Sequence, residues 1–314
     1  MTENEKLMLD IMGKVSSSDA PIVFKGAMIT RLILAENNFD VAGRATRDTD
    51  ANWVGNPPSM SHLVETINSS LGDLQNKIQA VPIRDYSDTK SAGVSIIDKD
   101  TKEELFSMDI SVKPVYGAKI YYHGDIGIKG VLPNEILADK ISVMSSSRIF
   151  RRMKDCFDVY ALSHCVEIKP AEILTVIDAK NHKLLSFDEF QNRTQDLKHA
   201  YSKLKGIANK PDFDVVYGYL QEFIKPFKQR DPIVQIWDAE NTKWGSNTEI
   251  SQSTSKDESN ISKQSSQVEK LNAAIKQPPP KQESWKDKQA RLSAKVKAQD
   301  LTPKSKNTID RDDR

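Results

Sequence analysis

The sequence predicts an α+β fold: a mixed, largely antiparallel sheet flanked by helices, followed by a helical bundle and a disordered C-terminal tail. Three observations predict it. Short apolar runs bounded by Gly, Pro and Asp alternate with helical periodicity up to about residue 131. From Pro133 the helical period takes over and persists to about Trp244. Beyond it, Ser, Gln, Lys and Asn displace apolar residues around Pro278-Pro279-Pro280, a composition that cannot bury enough apolar surface to offset its ordering entropy. The expected organisation is 1–131, 132–244 and 245–314.

Taken in order, Leu7, Met8, Ile11 and Met12 lie at helical spacing and predict a lead-in helix over 6–15. Pro21-Ile22-Val23-Phe24 reads as a short buried strand, stopped by Lys25-Gly26, with a helix over 27–36 directly behind the glycine. Asp48-Thr49-Asp50-Ala51-Asn52-Trp53-Val54 gains strand character before the Gly55-Asn56-Pro57-Pro58 stop. A helix over 59–78 would carry Leu63, Val64, Ile67, Leu71 and Leu74 on one face. Extended segments at 93–97, 104–112 and 118–122 look like one antiparallel sheet. Pro133 suits a first helical position, with Glu135 acidic in the first turn. Further helices are expected at 149–165, 170–179, 187–208 and 213–227. In the tail, Trp285, Leu292 and Val296 could line a short basic helix.

Bulk properties exclude more than they select. The 45 Lys and Arg residues balance 44 Asp and Glu, so attraction to a polyanion must come from local clusters. Cys156 and Cys165 fall in one expected helix, about 13 Å apart along its axis, and cannot pair there. With no charged-then-apolar leader and no run of eighteen apolar residues, the expectation is a cytoplasmic protein with no membrane role. The five histidines never reach metal-ligand spacing, and P-loop, nucleophile-elbow and kinase motifs are missing.

The sharpest local feature is Asp48-Thr49-Asp50. Side chains two apart on a strand share a face, and two carboxylates that close favour a cation between them. Mg²⁺ takes oxygen ligands, usually one or two carboxylates plus substrate phosphates. Alone, the pattern more commonly marks a solvated acidic turn. Asp109 lies opposite the apolar face of Met108, Ile110 and Val112, so a neighbouring strand could add a third carboxylate. Gly26 closes a strand before a helix, where free N–H groups and the helix dipole favour phosphate, although any tight turn could use a glycine. Lys140 falls inside the apolar stripe of Ile136, Leu137, Ile141 and Met144, and there it either snorkels out or meets an anion. Asp155 and Asp158 share one helix edge, and with Arg151 and Lys154 they could form plain i,i+4 salt bridges.

These residues, in their order, carry a resemblance. Phe24-Lys25-Gly26, the run Gly43-Arg44-Ala45-Thr46-Arg47-Asp48-Thr49-Asp50 and the strand at Asp109 resemble the DNA polymerase β-like nucleotidyltransferase core. The segments from Asn134 to Ile141 and from Arg151 to Tyr160 are similar to two helices of AbiEii-type toxins of abortive-infection and toxin-antitoxin systems. The resemblance covers about 21–162. It implies a catalytic domain over 1–131 and a helical domain over 132–244 that completes the active site.

It also implies residue roles. Asp48, Asp50 and Asp109 would hold Mg²⁺ or Mn²⁺, and Asp109 could instead help deprotonate the acceptor. Lys25, Gly26, Ala27, Thr46, Lys140 and Asp158 would surround the nucleoside triphosphate, with GTP or CTP as the expected substrate. Lys140 and Asp155 would complete the catalytic set. Lys140→Ala is then expected to abolish transfer at little cost in stability. The implied acceptor is the 3′ end of tRNA, and the implied partner an AbiEi-type antitoxin. One departure is plain: the family usually has Gly-Gly-Ser or Gly-Gly-Thr where this chain has Gly26-Ala27-Met28. Two alternatives stay open, an antibiotic- or protein-modifying transferase and a non-catalytic nucleotide-binding protein.

Overall fold

A computed structural model describes residues 2–39, 46, 48–86, 91–207, 210–230 and 235–246. The chain opens with α1 (Glu3–Ser17), closed at its start by a reciprocal cap in which Thr2 Oγ1 accepts from the Glu5 N–H and Glu5 Oε2 from the Thr2 N–H. Strand β1 (Ile22–Lys25) runs directly into α2 (Gly26–Glu36), and β2 (Asp48–Trp53) returns beside it. Then follow α3 (Met60–Ser70), β3 (Ile78–Arg84), β4 (Ser91–Asp98), β5 (Glu104–Ser111), β6 (Ala118–His123) and β7 (Ile126–Val131). From Pro133 the elements are α4 (Pro133–Met144), α5 (Met153–Ser163), α6 (Pro170–Ala179), α7 (Asp188–Asn192), α8 (Thr194–Ser202), α9 (Phe213–Phe223) and α10 (Lys225–Gln229). A hairpin of β8 (Gln235–Asp238) and β9 (Lys243–Ser246) follows. The fold is α+β, as the sequence predicts.

Among the described residues, seven strands form one sheet in the order β3-β4-β5-β2-β1-β7-β6. Most pairings are antiparallel, but β2 runs parallel to β5, and β1 parallel to β7. This corrects the single antiparallel sheet expected of the three extended segments. Strands β4 and β5 pair as anticipated, whereas β6 lies at the far edge and pairs with β7.

Other departures have local causes. The helix expected over 59–78 stops at Ser70 because Gly72 takes a left-handed conformation, φ 58°, and a strand starts at Ile78. That strand carries Pro82, which is tolerated because β3 lies at the edge of the sheet. Pro226 divides the helix expected over 213–227 into α9 and α10. The one expected over 187–208 is broken at Arg193, and a 3-10 turn at Ser147–Arg151 precedes α5.

The hairpin near Trp237 and Trp244 has no counterpart in the sequence reading. Trp237 Nε1 donates to the Tyr219 hydroxyl, and Trp244 Nε1 to the Glu222 carbonyl at 3.2 Å, fastening it to α9. Among the described residues, neither Cys156 nor Cys165 forms a disulfide. Among the described residues, no helix is long and apolar enough to cross a membrane. Gly43, Arg44, Ala45 and Arg47, and the tail from 247 with its expected helix, lie outside the described residues.

Candidate active site

The site is built on the middle of the sheet. Strand β2 alternates Thr49, Ala51 and Trp53, all buried, with Asp48, Asp50 and Asn52 on the other face. Pairing sets Lys25 of β1 opposite Asp50, Asp50 beside Asp109 of β5, Asp109 opposite Gly93 of β4, and Gly93 opposite Arg84 of β3. The register thus gives one charged row across five strands, Lys25, Asp50, Asp109 and Arg84, with the glycine leaving room between the last two. Neighbouring strands lie about 4.8 Å apart, so Asp50 and Asp109 stand side by side.

Gly26 explains how α2 meets this row. Its φ is 71°, and a Cβ added there would lie 2.2 Å from Asp50 Oδ2, so a side chain would displace the carboxylate. Among the described residues no side chain caps the first turn of α2, so this helix start, with its open N–H groups, lies beside Asp50. Burial pushes the Asp50 carboxyl above its ordinary value; Lys25 opposes this, while Asp48 and Asp109 add to it. Burial also pushes the Lys25 ammonium down, against the pull of Asp50 and Asp139.

The carboxylates differ in how ready they are for a cation. Asp48 is exposed and accepts from Thr46 Oγ1 at 2.9 Å. The Asp109 side chain is 54% exposed and pairs with Arg84. Among the described residues, no three His, Cys, Asp or Glu side chains are gathered closely enough to hold a metal ion. Two hard oxygen donors on one face fit Mg²⁺ or Mn²⁺ completed by substrate phosphates, whereas Asp109 would join only after parting from Arg84.

The helices supply the opposite wall of a cleft of about 260 Å³ whose lining includes Lys25, Gly26, Asp50, Asn52, Lys113, Asp139, Lys140, Arg148, Arg152, Asp155, Lys180 and His182. Its six Lys and Arg side chains outnumber its three carboxylates, which suits a polyanion. Asp139 of α4 accepts from Lys180 Nζ and His182 Nε2, both at 2.7 Å. Burial alone would raise the Asp139 carboxyl, but His182 and Lys180 outweigh it and hold it at about 2.

Lys140 does not stand free for a nucleotide. Its Nζ donates to Asp155 Oδ1 at 2.9 Å and to Asp158 Oδ2 at 2.6 Å, joining α4 to α5 at one edge of the cleft. Arg152 Nε lies 2.9 Å from Asp155 Oδ2, without hydrogen-bond alignment. The i,i+4 pairs foreseen from Arg151 and Lys154 are replaced by this arrangement. The expectation that removing Lys140 costs little stability is corrected, because both carboxylates would be left buried.

No family model and no curated protein matches the sequence. Among solved structures, the chain is similar to MenT4, a nucleotidyltransferase toxin of Mycobacterium tuberculosis H37Rv, with 13% identity and a TM-score of 0.45 over 72% of this chain and 85% of that one.

The structure brings Lys25, Gly26, Asp48, Asp50 and Asp109 together at the middle of the sheet, and sets Lys140 against Asp155 and Asp158, a pairing that the sequence did not indicate. Sequence reasoning missed Asn52 and Ser111, although each follows a chosen aspartate by two residues on the same strand, and that period was the available signal. Lys113, Asp139, Arg148, Arg152, Lys180 and His182 carry no such signal, since packing of the helices onto the sheet brings them in.

Proposed function

We propose that the chain is a nucleotidyltransferase that moves a nucleotidyl group from a nucleoside triphosphate to an acceptor hydroxyl, as AbiEii-type toxins do. One observation carries the reading: the strand register sets Asp50 beside Asp109 and opposite Lys25, against the uncapped start of α2. A Mg²⁺ or Mn²⁺ ion held by Asp48 and Asp50 would supply charge neutralisation on the triphosphate. The N–H groups behind Gly26, together with Lys25, Lys113 and Lys180, orient the phosphates. The acceptor oxygen then bonds to the α-phosphorus as the bond to the bridging oxygen breaks, and pyrophosphate leaves in line. Asp109 takes the acceptor's proton once Arg84 is displaced, a role that its register beside Asp50 supports. In this arrangement Lys140, Asp155 and Asp158 act as a support that holds α4 and α5 at the cleft.

By the family resemblance, GTP or CTP is the donor, the 3′ end of tRNA the acceptor, the cytoplasm the setting and an AbiEi-type protein the antitoxin. The test is incubation of the pure chain with each labelled nucleoside triphosphate, Mg²⁺ or Mn²⁺ and total tRNA. Label in RNA supports the reading, and label in protein moves the acceptor to the alternative class. No label under any condition, with growth equally slowed by the natural chain and by Asp50→Asn, would remove it.

A further inference from the structure

Lys25 is held in an unusual way. Its Nζ donates to Asn52 Oδ1 and Ser111 Oγ, both at 2.5 Å, and among the described residues it forms no salt bridge, although Asp50 is its register neighbour. Ser111 Oγ donates to the same Asn52 Oδ1 at 2.7 Å, so the two groups that hold the ammonium are neutral oxygens. An ammonium has three donors and two are used. Asn52 is 0% exposed and lines the cleft, yet its Nδ2 has no hydrogen-bond partner among the described residues. Leaving such a donor unmet is costly unless something else meets it.

The geometry points to a seat for a phosphate oxygen formed by Lys25 and Asn52, with Ser111 as a positioning residue behind them. The chemical class of the ligand is the phosphate tail of a nucleoside triphosphate or the pyrophosphate that leaves it. This deepens the reading above, and rests on it only for the ligand's origin. Neutral partners are what such a seat needs, because a carboxylate in place of the Asn52 amide would pair with Lys25 and repel phosphate. The same network could simply tie β2 to β5, since Asn52 and Ser111 are register partners. A tie alone gives no reason for an amide donor left unmet at the cleft.

The experiment is calorimetric titration of inorganic pyrophosphate into the full chain without nucleotide or divalent ion, beside thermal melts of every variant. Asn52→Asp is expected to weaken pyrophosphate binding at least about tenfold while melting no lower than the natural chain, since it converts a neutral contact into an ion pair. Ser111→Ala is expected to weaken it about threefold, and Lys25→Met to abolish it. Pyrophosphate bound equally by the natural chain, Asn52→Asp and Lys25→Met would overturn the seat. Should Asn52→Asp fail to fold, Ser111→Ala and Lys25→Met decide, and unchanged affinity in both overturns it. Seat and transfer fail separately: pyrophosphate binding through Lys25 in a chain that transfers nothing keeps the seat, and transfer with unaltered Asn52→Asp binding removes it.

Discussion

Replacing Lys140 by alanine takes an ammonium from between two carboxylates that are nearly closed to water. The Asp155 and Asp158 side chains are 4% and 0% exposed, and Lys140 itself 9%. Breaking a buried ion pair by removing one partner costs roughly 3–5 kcal/mol, because the remaining charge is stranded. Here Arg152 still approaches Asp155, but it is 59% exposed, so the lower end, about 3 kcal/mol, is expected. For a folded part of this size, about 2–4 °C is lost per kcal/mol, which places the fall in Tm at roughly 6–12 °C. The assay is thermal unfolding by circular dichroism at neutral pH. A further variant, Lys140→Met with Asp155→Asn and Asp158→Asn, should recover most of the loss, since no charge is left alone. A Lys140→Ala chain melting within about 2 °C of the natural one would refute the argument, because a buried pair worth so little contradicts its cost.

Three other outcomes are expected. Asp50→Asn should end nucleotidyl transfer while melting no lower than the natural chain: burial raises this carboxyl, so its ionised form opposes folding above its unfolded value, and the amide removes that penalty. Equal transfer from both chains would count against Asp50. Asp139, held at about 2, contributes stability that is present above its unfolded value near 4 and is lost as pH falls from there towards 2. With that side chain 43% exposed, the contribution is discounted to about 1 kcal/mol, and acid unfolding of Asp139→Asn should begin at lower stability but fall less steeply. Arg84→Ala should free Asp109 and tighten Mn²⁺ binding several-fold by electron paramagnetic resonance, with stability changed by less than about 1 kcal/mol because the pair is exposed. Unchanged Mn²⁺ affinity would leave Asp109 outside the cation site.

How much of this was legible depends on the range of the interaction. Asp48 and Asp50 share a face by strand geometry alone, and the strand-glycine-helix unit at Gly26 is read from adjacent residues. Asp109 was recognised from the apolar face on either side of it, but no local pattern states that its strand lies parallel to β2. Strands β3 and β7 were missed for a related reason: Pro82 in one and two glycines in the other weaken the strand pattern, and sheet pairing overrides it. Lys140 stood out correctly as a charge in an apolar stripe. What the stripe did not reveal was its partner, since Asp155 and Asp158 come from the next helix and could equally have paired within it.

The parallel pairing of β2 with β5 has a further consequence, for the time at which the cleft comes into being. A parallel pair cannot close by a tight turn, so the whole excursion through α3, β3 and β4 must be in place before Asp109 reaches Asp50. The opposite wall waits longer, because Lys180 and His182 follow α6. During synthesis Asp48, Asp50 and Asp109 leave the ribosome before the cations of the opposite wall. A chain arrested before Lys180 carries the floor and the part of the wall that α4 and α5 supply, but lacks the two groups that hold Asp139.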